Sequence, residues 1–145
     1  MKKRLFDIFP LIIVMSVLVL EMLPFSVVLY FGHVTENGEV IRSPSYYSHF
    51  DLIPFGNAHF TPLIIGILTC VLLILCMLKF FAKKANNILD SILIISLIIV
   101  FLSIIPMILG MGITIINIII LILISILSAQ IIYQKHALSK INTNL

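Results

Sequence analysis

The sequence predicts an all-α membrane protein, a four-transmembrane-helix bundle with one structured extracellular loop between helices 1 and 2. Three observations lead there. Across 145 residues, 61% are hydrophobic and only 10% charged, whereas a soluble domain is about a quarter charged. The apolar residues fall in four long runs, and about 20 helical residues cross a hydrocarbon core. The runs are continuous, whereas the strands of a membrane barrel alternate over about ten residues. The four runs and one loop are expected to form a single integral membrane domain, residues 1–145, with no separate soluble domain.

The first span is read at residues 8–31, behind the basic cap Lys2, Lys3 and Arg4. It is too long for a signal-peptide core and no small-x-small site follows, so it is expected to be retained as an anchor. The loop at 32–61 holds most of the polar residues. Within it, Glu36-Asn37-Gly38-Glu39 suits a tight turn, because Asn-Gly tolerates positive φ. Val28–His33 and Val40–Ile41 flank that turn, which allows a short hairpin.

The second span is read at 62–78, with Thr61 as N-cap and Pro62 in the first helical position, where its missing N–H costs nothing. Lys79, Lys83 and Lys84 follow it. The third span is read at 88–109, with Asn87 as N-cap and Asp90 favoured by the helix dipole. Gly110-Met111-Gly112 makes a turn into an isoleucine-rich fourth span at 113–133. Lys135, His136 and Lys140 close the chain.

Eight of the nine Lys and Arg residues flank the spans on what a four-span chain makes one side. The long loop has only Arg42 against Glu36, Glu39 and Asp51. The positive-inside rule then puts both termini in the cytoplasm and the loop outside. A three-span chain would put basic clusters on both sides. This distribution gives a net charge of +3 the look of an orientation signal, not of nucleic-acid binding.

Glu21, near the middle of the first run, is the most informative residue. A carboxylate at a span centre costs about 2.5–3.5 kcal/mol, so it is expected to face the bundle interior or a wet cavity. Pro24 removes the backbone bond to Leu20 and is expected to kink the helix there. Two readings compete: a proton or cation site beside a kink, or a neutral carboxyl bonded to a neighbouring helix as polar glue. At 1.5 Å per residue Glu21 comes out roughly 15 Å deep, and Thr69, Ser103 and Asn117 roughly 8–12 Å deep. One polar group per helix in the outer half, with Pro106 as a second irregularity, suits an outward-facing pocket. Ser and Thr also bond back to their own helix, which is the plainer reading of Thr69 and Ser103.

The loop's second half mixes aromatics with His49, Asp51, Asn57 and His59. It reads as an interfacial cap packed over the bundle. His33, His49, Asp51 and His59 carry imidazole and carboxylate donors, but their spacing matches no established metal site, and no metal or other cofactor is expected. Cys70 and Cys76, six residues apart in one helix, are separated by about 9 Å of rise, beyond disulfide reach.

The stretch from Leu20-Glu21-Met22-Leu23-Pro24-Phe25 through the Tyr46–Ile64 loop to Gly66-Ile67-Leu68-Thr69-Cys70 resembles a group of small four-helix membrane proteins of Gram-positive bacteria. The resemblance covers 20–70 and fades over the last two spans. It implies a bacterial plasma membrane, and joins Glu21, Pro24 and the aromatic loop as one unit. No activity comes with it.

Three functions are expected from these observations. The first is a non-enzymatic accessory or regulatory membrane subunit, whose partners are the lipid bilayer and a larger membrane protein or a homo-oligomer. The second is an oligomeric small transporter or channel component with Glu21 as its proton or cation site; the two halves show no internal repeat, which weighs against an inverted-repeat architecture. The third, a membrane enzyme using the outer His and Asp groups, has no nucleophile–base pair or metal motif behind it.

Overall fold

A computed structural model describes residues 2–35, 37–51, 60–81, 86–108 and 113–143. Four helices and one hairpin succeed one another as α1 (Lys2–Met22), β1 (Val27–Val34), β2 (Val40–Tyr47), α2 (Thr61–Phe81), α3 (Asn86–Ile108) and α4 (Ile115–Thr143). The helices close a ring: α1 packs on α2 and α4, and α3 packs on α2 and α4.

Three helices are long and apolar enough to span a membrane, over Thr61–Phe81, Asn87–Pro106 and Ile115–Ala137. The apolar part of α1 is shorter, Ile8–Met22. This corrects the first expected span, which ran on through Phe31. Pro24 disfavours helical geometry in the residue before it and has no N–H for the next turn. The helix therefore stops at Met22, and Pro24 ends it instead of kinking it. Pro10 is the proline inside α1.

Beyond the stop, Val27-Val28-Leu29-Tyr30-Phe31 is β-branched and aromatic and goes into a strand. It pairs antiparallel with β2 from Val27↔Tyr47 to Val34↔Val40. Gly38 supplies the positive φ of the tip turn, at 79°. Thr35 closes that turn, its N–H donating to Glu39 O at 2.8 Å and its O accepting from Gly38 N at 2.9 Å. The hairpin is longer than the sequence signalled. Tyr46 and Tyr47, expected in the cap, lie in β2.

Helix starts also move. The Ile64 N–H donates to Phe60 O at 3.0 Å, so α2 begins at Thr61 and the cap position falls on Phe60. Asn87 lies inside α3. Pro106 sits in the last turn of α3. The expected turn at 110–112 lies outside the described residues, as does Glu36.

Each helix gives one stripe to the core. In α1 it is Pro10, Ile13, Val14, Val17 and Glu21; in α3 it includes Leu89, Ile92, Ser96 and Ile99. These spacings follow the 3.6-residue period. The other faces carry exposed Ile, Leu, Val, Met and Phe, a surface that suits lipid and not water.

Ser128 Oγ donates to Ser96 Oγ at 2.9 Å, joining α4 to α3 inside the core. At the end away from the hairpin, buried Lys79 donates to Gln134 Oε1. Asp90 there forms a half-exposed ion pair with Lys135, in place of the lone dipole role expected of it. Such a pair contributes at most about 1 kcal/mol. Both cysteines are free.

Candidate functional site

The polar groups converge where α1 gives way to the hairpin. Glu21 is fully buried one residue before the end of α1. Its Oε1 accepts a hydrogen bond from Thr69 Oγ1 at 2.8 Å. Thr69 is itself fully buried on α2, and its hydroxyl also lies 3.0 Å from Ile65 O. Glu21 Oε2 is buried with no hydrogen-bond partner among the described residues.

The backbone carbonyl of Glu21 does as much as its side chain. Helix termination leaves that oxygen without an intrahelical donor. It accepts from the His49 N–H at 3.0 Å and from Ser26 Oγ at 3.2 Å. Ser26 also lies within reach of Tyr47 O, at 3.4 Å. His49 Nδ1 and Ser26 Oγ are 2.9 Å apart, the donor depending on the imidazole tautomer. From α4, Thr114 Oγ1 donates to Ser26 O at 2.9 Å and accepts from Asn117 N at 3.1 Å. Thr114 is therefore the N-cap of α4 and a strut of the hairpin base.

Residues 48–51 form a compact turn that aims His49 inward. The Ser48 N–H donates to Asp51 Oδ2 at 2.6 Å, Asp51 N donates to Ser48 O at 3.4 Å, and Phe50 N donates to Ser48 Oγ at 3.2 Å. Only 3% exposed, His49 is held down to a pKa of about 4 by burial, which penalises the cation. Phe50 lies against Gly66 of α2, where an added Cβ would sit 2.9 Å from the ring.

Of the four intramembrane polar residues expected together, the structure joins Glu21 and Thr69. Ser103 turns back to Ile99 O at 2.8 Å in its own helix. Asn117 is half-buried in the first turn of α4, and no hydrogen bond links its side chain to Glu21 among the described residues. Of the cap residues, His49 and Asp51 are placed as described, while Asn57 and His59 lie outside the described residues. His33 is exposed on β1, apart from His49. Among the described residues no three His, Cys, Asp or Glu side chains gather as a metal site would require.

Sequence reasoning missed Ser26, Ser48 and Thr114. Thr114 carried a signal, a threonine directly before an apolar helical run, which is an N-cap pattern. Ser26 carried none, because its role depends on the strand that replaces the expected helix.

No match bears on this arrangement. Protein-family models, curated proteins and solved structures all lack a counterpart to this chain. The functional reading therefore rests on the site itself. The site's chemistry is that of a clamp: hydroxyl, imidazole and amide groups converging on two carbonyls and one carboxyl, with no nucleophile beside a base.

Proposed function

We propose that the chain is a non-enzymatic accessory or regulatory subunit of a bacterial plasma membrane, which holds a β-hairpin outside the bilayer for a larger membrane protein to contact. One observation carries this reading. The base of the hairpin is tied to α1 and α4 through Ser26, His49 and Thr114, while its far end, with Val34, Val40 and Ile41, is exposed. A rigid base under an exposed apolar tip lowers the entropy cost of binding there. In this reading all four helices cross the membrane and both termini are cytoplasmic, in keeping with the basic residues.

The test is purification in native-lipid particles. A stoichiometric larger membrane protein is expected, lost when Val34, Val40 and Ile41 are changed to serine. Recovery of the chain alone, or a partner indifferent to those changes, would overturn the proposal.

A second reading takes its support from Glu21 Oε2, the buried oxygen without a hydrogen-bond partner among the described residues. Here the chain is a component of an oligomeric transporter or channel, and Glu21 is its proton or cation site. Reconstituted protein would then conduct protons or cations, and Glu21→Gln would abolish the flux. Unchanged flux in that variant ends the second reading.

A further inference from the structure

The apolar part of α1, Ile8–Met22, is 15 residues long, which at 1.5 Å per residue reaches about 22 Å. A hydrocarbon core is about 30 Å thick. The bundle holds α1 beside three helices long enough to cross, so something after Met22 must cover the remaining depth. The chain continues there into the turn at 23–26 and the hairpin base.

The two faces of the hairpin differ. On one face Val27, Leu29 and Phe31 of β1 stand opposite Tyr47, Ser45 and Ser43 of β2, and all six are buried or half-buried. On the other face, Tyr30 and Tyr46 are exposed, and Arg42 is the charged residue. Phe25, also exposed, meets Tyr46 edge to face with centroids 6.0 Å apart. Phe25 in turn continues the exposed apolar series Val19, Met22 and Leu23 of α1. The apolar outer surface of the bundle thus runs without a break onto this face.

We propose that this hairpin face lies against phospholipid, in the interfacial layer of the bilayer, and completes the span that α1 leaves short. Phe25, Tyr30 and Tyr46 supply the aromatic side chains that the interface favours. Arg42 extends its guanidinium to the phosphates while its stem stays on apolar surface. A two-stranded ribbon has unpaired edge N–H and C=O groups that hydrocarbon would not tolerate and a hydrated headgroup layer does. The carbonyls closest to the hydrocarbon, those of Glu21 and Ser26, are the ones the protein satisfies itself, through His49, Ser26 and Thr114.

The chain has no tryptophan, so a single introduced one reports alone. Tyr46→Trp and Tyr30→Trp are read separately in proteoliposomes, with Ile74→Trp on the exposed face of α2 and Glu39→Trp at the tip as references. Lipids brominated near the top of the acyl chain are expected to quench the two hairpin variants, with blue-shifted emission. Glu39→Trp is expected to stay unquenched by lipid and open to acrylamide. Quenching equal in phosphatidylcholine and in phosphatidylglycerol vesicles assigns the contact to the shared phosphate and glycerol region; stronger quenching in phosphatidylglycerol assigns it to an anionic headgroup. Hairpin variants that behave like Glu39→Trp while Ile74→Trp is quenched would overturn the inference and leave that face to a protein. An unquenched Ile74→Trp would overturn membrane insertion and this inference with it.

Discussion

At the scale of single residues, His49 shows how one buried group can set a pH dependence. Its ring is enclosed and its Nδ1 faces Ser26 Oγ, so the neutral imidazole is the form that fits. Burial holds the pKa at about 4, against an ordinary 6.5. The unfolded state therefore binds a proton that the folded state refuses between those values. Stability from this group is complete above pH 6.5 and is lost as the pH falls toward 4, at about 1.4 kcal/mol per pH unit. Thermal midpoints of the detergent-solubilised protein are expected to fall through that window. His49→Asn, which keeps a polar atom near the Nδ1 position and does not titrate, should flatten the profile. An equal fall in both proteins would show that another group is responsible. The sequence announced Glu21 and Thr69, because a carboxyl and a hydroxyl inside apolar helices need partners and can be ranked by depth. It did not announce Ser26 as the partner of His49, because that pairing spans 23 residues and depends on where a helix stops.

At the scale of elements, the boundary between α1 and β1 is where sequence and structure part. Residues 8–31 read as one apolar run, and an apolar run does not by itself distinguish a helix from a buried strand. Pro24 and the β-branched stretch after it were the deciding signals, and the tight turn at Asn37-Gly38 pointed the same way. The contact between the 48–51 turn and α2 had no signal at all, although it constrains Gly66. Alanine there would put its Cβ 2.9 Å from Phe50 Cε1. In an exposed helix that change gains about 1 kcal/mol of helix propensity. Here it must push the ring away, and Gly66→Ala is expected to destabilise by about 1 kcal/mol, the lower end of overpacking costs. Phe50 is 36% exposed, so the ring can swing aside and the cost stays at that level. In a Phe50→Ala background the same change should be neutral or stabilising. A double-mutant cycle on thermal midpoints measures the coupling; additive effects would mean that Phe50 does not rest on Gly66.

At the scale of the whole molecule, the short α1 sets the topology question. Three helices satisfy the length requirement outright, and α1 satisfies it only with the hairpin base added. If α1 did not cross, Lys2, Lys3 and Arg4 would lie on the same side as the hairpin. That would set three basic residues on the side where Arg42 otherwise stands alone, against the bias that orients small membrane proteins. The packing argues in the same direction. α1 lies along both α2 and α4, and its Glu21 reaches Thr69, which is eight residues into α2, about 12 Å from that helix's start. A carboxyl at that depth is hard to reconcile with a helix resting on the surface. With single cysteines for an impermeant thiol reagent in intact cells, Glu39→Cys is expected to label at once. Lys3→Cys and His136→Cys are expected to label only after permeabilisation. Labelling of Lys3→Cys together with Glu39→Cys in intact cells would leave three crossings and put the amino terminus outside. The hairpin would then lie on the terminal side of an uncrossed α1, and its clamp would hold a surface helix down instead of finishing a span.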